Sequence, residues 1–161
     1  MNQGMILPVA IPAMAAALLV LVSRYGLTVQ RVTSVIAIGL QLAVAAWLYA
    51  LAADGEIRVY LLGNWPAPFG IVLVLDRLAA TMLLLAGVLG TAVLIASLGR
   101  WDQLGRHFHA LFQFQLLGIN GAFLTGDLFN LFVFFEVLLI ASYGLMLHGG
   151  GARRLKAGFH Y

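Results

Sequence analysis

Long apolar runs separated by short polar stretches dominate the pattern along the chain. Crossing the hydrocarbon core of a bilayer takes a helix of about 20 mostly apolar residues. Five segments meet that requirement, namely residues 5–23, 32–53, 76–99, 107–126 and 128–147. The pattern predicts an all-α fold, a polytopic transmembrane helix bundle of about five spanning helices that forms a single membrane domain over residues 1–161.

Composition supports a membrane protein and excludes several other classes. Hydrophobic residues make up 63% of the chain and charged residues only 9%, whereas soluble domains carry about 25% charged residues. The absence of cysteine rules out disulfides and thiolate metal sites. Since the sequence also shows no phosphate-binding loop and no histidine cluster of metal-ligand spacing, we expect no cofactor and no bound metal.

The basic residues are distributed unevenly between the two sets of loops, which predicts an orientation. The side with more Lys and Arg in its short loops is normally the cytoplasmic one. This places the N-terminus outside and the segment after the fifth helix inside, and it explains the net charge of +3 without nucleic-acid binding. The first set comprises Arg24, Arg31, Arg100, Arg106, Arg153, Arg154 and Lys156, and the second Arg58 and Arg77.

The outer connection over residues 54–75 is too apolar for a free loop. We expect two short extended pieces around a turn at residues 64–68, lying at the membrane interface with Tyr60, Trp65 and Phe69 as anchors. At the other end of the chain, the basic stretch from about residue 153 predicts the first turn of a further helix, so the chain is expected to be cut short.

One carboxylate, Glu136, lies far from any loop. The other fourteen of the fifteen charged residues fall in loops or near helix ends. Glu136 is about 12 Å along the fifth helix, close to the centre of a roughly 30 Å core, where a charged side chain costs on the order of 2.5–3.5 kcal/mol. Either it stays protonated and hydrogen-bonds a neighbouring helix, or it binds and releases a proton during transport. We favour the second interpretation, because ionisable groups within spans usually mark ion pathways.

Other polar residues are candidates for a proton path near this acid. Helical spacing puts Tyr143 about two turns from Glu136 on the same face. His109, Gln113 and Asn120 form one stripe on the fourth helix. This stripe either holds a water chain opposite the acid or supplies ordinary hydrogen bonds between helices.

Two aspartates open predicted helices at the outer surface. Asp76 precedes the third helix and Asp127 precedes the fifth. At a helix start an acidic side chain can cap the free backbone amides, and its negative charge interacts favourably with the helix dipole. Capping is the simpler interpretation, and a role at the outer mouth of an ion path is the alternative.

Three runs carry a resemblance to a known family: GNWPAPFGIVLVLDRL, GAFLTGDLFNLFVFFEVLLIASYGLMLHGG and RRLKAGFHY. They resemble the D subunits of the multisubunit Mrp-type cation/proton antiporters, which are similar to the antiporter-like proton-pumping subunits of respiratory complex I. The resemblance implies that Glu136 is the essential acid of the family, which pairs with a lysine on a broken helix farther along a longer chain. It also implies that this chain holds the leading helices and the first two helices of the first of two inverted repeats.

The function implied by the resemblance is that of a secondary transporter subunit, not an enzyme. It would translocate protons in a monovalent cation/proton antiporter of the bacterial inner membrane, where proton influx drives efflux of Na+ or K+. Its partners would be the other subunits of a hetero-oligomeric complex and the lipid bilayer. One alternative is a proton-pumping, non-redox membrane subunit of a respiratory complex I-like or hydrogenase complex, and a second is a non-transporting membrane scaffold subunit.

Overall fold

Five long helices form the body of the protein in a computed structural model that describes residues 3–65 and 69–158. The predicted all-α helix bundle is confirmed, with a two-stranded hairpin as a minor addition. A 3-10 turn at Gln3–Ile6 leads into the first helix. The helices are α1 at Leu7–Val22, α2 at Leu27–Leu51, α3 at Arg77–Ser97, α4 at Phe108–Leu124, α5 at Leu128–Met146 and a short α6 at Ala152–Gly158.

Four helical stretches among the described residues are long and apolar enough to cross a membrane. They are Gln3–Val22, Leu27–Asp54, Arg77–Ser97 and Leu128–Met146. The remaining predicted span, residues 107–126, is helical as α4 but has only 17 residues. α4 packs against both α1 and α5, so it is an interior element of the bundle.

α2 begins at Leu27, five residues before the predicted boundary at residue 32. The predicted boundary leaves Arg31 in a loop, because a charged residue in an apolar span is costly. That placement is wrong, since Arg31 lies within α2 and forms an ion pair with Asp102. The ion pair removes the cost of placing the Arg31 charge in an apolar helix, and the predicted start of α2 rested on that cost.

The outer connection contains the two extended pieces that the sequence predicts. Strand β1 at Arg58–Leu61 pairs with strand β2 at Val72–Leu75 in antiparallel register. Trp65 and Phe69 are 64% and 85% exposed, as side chains at a lipid interface would be. The centre of the predicted turn, residues 66–68, lies outside the described residues.

The hairpin is attached to the bundle through its second strand and the connection between α4 and α5. Leu73 of β2 forms a bridge with Thr125, and the Gly126 amide donates to the Val72 carbonyl oxygen at 2.8 Å. We call this the hairpin end of the bundle, and the opposite end, with residues 23–26, 98–107 and 147–151, the basic-loop end. The core at the hairpin end comprises Met5, Ala45, Leu48, Ala52, Leu73, Leu75, Ala80, Leu83 and Leu124.

α4 and α5 form a close antiparallel pair because glycines on α4 face α5. A Cβ added at Gly118 would lie 2.8 Å from both Cβ and the backbone nitrogen of Leu138. A Cβ added at Gly121 would lie 2.1 Å from a ring carbon of Phe134. Small residues allow such close approach between membrane helices, and dispersion contacts then hold them together.

Candidate functional site

Glu136 lies at the middle of α5, as the helical rise predicts, but its side chain is exposed on the described part of the chain. α5 packs on α4 through a different face, which includes Phe134 and Leu138. Only 11% of the spanning part of α5 is buried, against 33% in each of the other three candidate spans. The expectation of an acid enclosed by these helices therefore needs correction, since α5 contacts the bundle through only one side.

The face that carries Glu136 is otherwise apolar and open. Tyr143, seven residues further along the helix, is 39% exposed, so it lies beside the same surface as the acid. A carboxylate on an apolar face at mid-helix is costly to expose to hydrocarbon. The apolar residues of this face are Phe129, Phe132, Val133 and Ile140, which are 76%, 61%, 40% and 68% exposed.

The stripe predicted on α4 is buried and points away from this face. Gln113 accepts a hydrogen bond from Gln41 Nε2 at 2.7 Å and donates to Ser34 Oγ at 3.5 Å, both on α2. Asn120 donates its amide to the carbonyl oxygen of Pro8 on α1 at 2.9 Å. The idea that the stripe lies opposite Glu136 is therefore wrong for the described residues, because α4 turns its polar side toward α1 and α2.

His109, at the end of this stripe, belongs to a cluster that sequence reasoning missed. Its ring is fully buried, and Nε2 lies 3.5 Å from Asp102 Oδ2. Asp102 is itself 1% exposed and accepts from Arg31 Nε at 2.5 Å and Arg31 Nη2 at 3.0 Å. The backbone amide of Gly99 donates to the same carboxylate at 3.2 Å.

The hydrogen bond from Arg31 is the largest effect on the Asp102 carboxyl, and it holds the pKa of that group below its usual range although burial opposes this. Asp102 is therefore an anion at neutral pH. One signal in the sequence could have identified it, because Asp102 is the only acidic residue in the set of basic loops.

The two aspartates at the hairpin end are helix caps. Asp76 Oδ1 accepts from the Ala79 amide at 2.7 Å, and Asp127 Oδ1 accepts from the Asn130 amide at 2.7 Å. Burial is the largest single effect and raises the pKa of Asp127, but the hydrogen bonds from Asn130 and from the backbone of Val72 and Phe129 together hold the pKa below its ordinary value. Both carboxylates thus satisfy backbone amides that a helix start leaves free.

The described residues contain no group of three or more His, Cys, Asp or Glu side chains that could hold a metal ion. The groups that they do offer are suited to proton transfer and hydrogen bonding. One is the carboxylate of Glu136 on the open face of α5, and the other is the charged cluster of Arg31, Asp102 and His109 inside the basic-loop end.

No protein-family model matches the chain, but several known proteins are similar to it over nearly all of its length. It is 51% identical to the D subunit of a probable K+/H+ antiporter of Rhizobium meliloti, covering 100% of this chain and 31% of the relative. It is 43% identical to the D subunit of a Na+/H+ antiporter of Alkalihalophilus pseudofirmus, with coverage of 100% and 33%. It is 39% identical to the N subunit of an NADH-quinone oxidoreductase of Desulforudis audaxviator, with coverage of 97% and 32%.

Two solved structures share the fold. A chain of the Mrp complex from Dietzia sp. matches with a TM-score of 0.84 and 33% identity, covering 99% of this chain and 31% of its own. A chain of a membrane-bound sulfane sulfur reductase, an archaeal respiratory membrane complex, matches with a TM-score of 0.91 and 26% identity, with coverage of 100% and 33%. The chain thus spans about a third of the length of the relatives it matches.

Proposed function

We propose that this chain, which is similar to about a third of the length of antiporter D subunits, belongs to a proton-translocating subunit of a monovalent cation/proton antiporter. In that role, proton influx drives the efflux of Na+ or K+ across the bacterial inner membrane. The identities of 51% and 43% to antiporter subunits, against 39% to a quinone oxidoreductase subunit, support the antiporter branch.

The observation that carries the proposal is the position of Glu136. Among the described residues it is the only acidic side chain at the centre of a candidate spanning helix. Because its face of α5 is open, a further segment or subunit can bring a cationic group close to it. Approach of a cation favours the ionised carboxylate and releases the proton, and withdrawal of the cation favours proton binding.

We propose that the protein partners of this chain bind to the same open face. This face of α5 is apolar at both ends and acidic in the middle. Contact with another helix is more favourable for it than contact with lipid, because a charged group facing hydrocarbon is costly. The partners would be the remainder of the antiporter subunit and the other members of a hetero-oligomeric complex. Tyr143 would then lie in the same contact, beside the path of the proton.

The experiment compares Glu136→Gln and Glu136→Ala with the control Glu56→Gln, which changes an exposed carboxylate near the hairpin. The complete antiporter subunit is assembled with its partners, and exchange is measured as cation-dependent collapse of a pH gradient in inverted membrane vesicles. We expect both Glu136 variants to lose exchange while assembly stays normal, and the control to retain it. Normal exchange in Glu136→Gln would refute the proposal and favour a scaffold role.

A second candidate function is a proton-pumping membrane subunit of a respiratory complex. The match to the archaeal respiratory complex, with a TM-score of 0.91, favours it. The two functions share the local chemistry of Glu136 but differ in the source of energy. Purification of the intact assembly separates them, because copurifying redox subunits and proton uptake that depends on electron transfer would identify the pump.

A further inference from the structure

The basic-loop end of the bundle contains a charged cluster that the proposed transport role of Glu136 does not use. Asp102 from the connection between α3 and α4, Arg31 from α2 and His109 from α4 come together there. The side chains of Asp102 and His109 are both fully buried. The cluster lies in the interior formed by α1, α2 and α4, whereas Glu136 is on the open face of α5.

A polar cavity lies next to this cluster and has Asp102 in its lining. The cavity has a volume of about 600 Å³ and opens at the turn between α1 and α2. The Arg31 side chain is 31% exposed. The polar side chains that line the cavity are Ser23, Arg24, Gln30, Asp102, Gln103 and Arg106.

The imidazole of His109 is the unusual member of the cluster. Among the described residues Nδ1 has no polar partner, and the nearest polar group to Nε2 is Asp102 Oδ2 at 3.5 Å, too long for a well-formed hydrogen bond. A buried polar group without a partner carries a desolvation penalty, and such groups in folded proteins generally bind water or serve a function. The neighbouring His148, in contrast, has its Nε2 at 2.8 Å from the carbonyl oxygen of Trp101.

The charges around His109 are balanced while its ring is neutral. Asp102 is paired with Arg31, and His148 follows α5 nearby. α1 carries no titratable side chain between Leu7 and Val22. An added proton would therefore give the cluster one net positive charge, and Asp102 is the group that can stabilise it.

We propose that His109 and Asp102 form a second proton-binding site, loaded from water on the basic-loop side. In the neutral ring Nε2 carries its hydrogen toward Asp102 Oδ2, and Nδ1 is the free acceptor. A proton donated by a water molecule binds at Nδ1, and the imidazolium is held by the Asp102 carboxylate 3.5 Å from Nε2. No other bond is formed or broken, and the proton returns to water when the site unloads.

A set of buried polar side chains lies next to this site. Gln113 follows His109 by one helical turn, and its amide contacts Ser34 and Gln41 on α2. The site stands on the geometry of the cluster and does not depend on proton transfer at Glu136.

The first test uses the unmodified protein in its native assembly. Exchange of the imidazole C2 hydrogen for deuterium, followed by mass spectrometry of His-containing peptides, reports protonation of each histidine as a function of pH. We expect the exchange rate of His109 to change sigmoidally with pH, with a midpoint below the ordinary value for histidine because the ring is buried. A ring that stays neutral at every pH at which the assembly remains folded would overturn the proposal.

The second test changes the partner of the ring. Asp102→Asn keeps the shape of the side chain but removes its charge, and the apparent affinity of His109 for the proton should fall about tenfold or more. His107, which is exposed two residues earlier, is the internal control for the exchange measurement. An unchanged His109 midpoint would overturn the role of Asp102.

The outcomes separate this inference from the proposed function. Titration of His109 together with normal exchange in Glu136→Gln would support this site and refute the transport role of Glu136. A His109 that never titrates, together with loss of exchange in Glu136→Gln, would refute this site alone.

Discussion

Asn120 on α4 donates its side-chain amide to the backbone carbonyl oxygen of Pro8 on α1, at 2.9 Å. Pro12 lies four residues after Pro8 in the same helix and has no N–H, so it leaves that carbonyl without its helical partner. α4 therefore completes the backbone hydrogen bonding of α1. For Asn120, this geometry favours a structural hydrogen bond between helices over a place in a proton path.

The first prediction concerns this pair. Asn120→Leu should destabilise the protein by about 1 kcal/mol, within the range measured for hydrogen bonds between membrane helices. In a Pro12→Ala background, the new backbone N–H can bond to Pro8, so the same substitution should cost less. Thermal unfolding of the four proteins of this double-mutant cycle measures the difference. Equal costs in both backgrounds would show that the carbonyl of Pro8 is not the relevant acceptor.

The second prediction concerns the close approach of α4 and α5. Gly118→Ala should lower the melting temperature and loosen the helix pair, because the new methyl group would meet the backbone of Leu138 at 2.8 Å. Gly39→Ala is the matched control on α2, where nothing lies within 4 Å of the added Cβ. That substitution should be neutral or stabilise by about 0.5–1 kcal/mol. Equal melting temperatures for the two variants would contradict the packing described here.

The third prediction separates capping from charge at Asp76. Asp76→Ala should cost about 1 kcal/mol of stability, whereas Asp76→Asn should keep most of it, because an asparagine side chain can also accept from the Ala79 amide. Thermal unfolding and cation exchange are measured together. A role at an outer ion mouth would appear as loss of exchange in the stable Asn variant, and capping alone would leave exchange intact. Asp127→Asn is the equivalent test at the start of α5.

The fourth prediction follows from the lowered pKa of Asp102. The folded-state pKa lies below the value in the unfolded chain, so the ion pair stabilises the protein fully above the unfolded value of about 3.9. That contribution is lost as the pH falls through the folded-state pKa. Melting temperatures between pH 6 and pH 3 should therefore fall more steeply for the unchanged protein than for Asp102→Asn. The control Glu56→Gln should follow the unchanged protein, and parallel curves for Asp102→Asn would contradict the prediction.

The depth of Glu136 could be predicted from the sequence because it depends only on the length of an apolar run and the rise per residue. Its exposure could not, since periodicity shows which residues share a face but not which helix covers that face. The stripe of His109, Gln113 and Asn120 illustrates this limit. Its members do lie on one side of α4, but their partners are Ser34 and Gln41 on α2 and Pro8 on α1.

The ion pair of Arg31 and Asp102 could not be predicted for a different reason. The two residues are 71 positions apart, and each alone resembles an ordinary loop charge. Only the packing of α2 against the connection after α3 brings them together. The predicted start of α2 is in error for the same reason, because without its partner Arg31 was assigned to a loop.

The hydrogen bond from Gly126 to Val72 and the bridge between Thr125 and Leu73 attach the residues just before α5 to the hairpin. A helix held at one end tilts about that end, so its opposite end is displaced farthest. Any tilting of α5 during a working cycle would therefore leave its start nearly still and sweep its far tip past Trp101, where His148 is hydrogen-bonded. Glu136, halfway along, would be displaced by about half that distance.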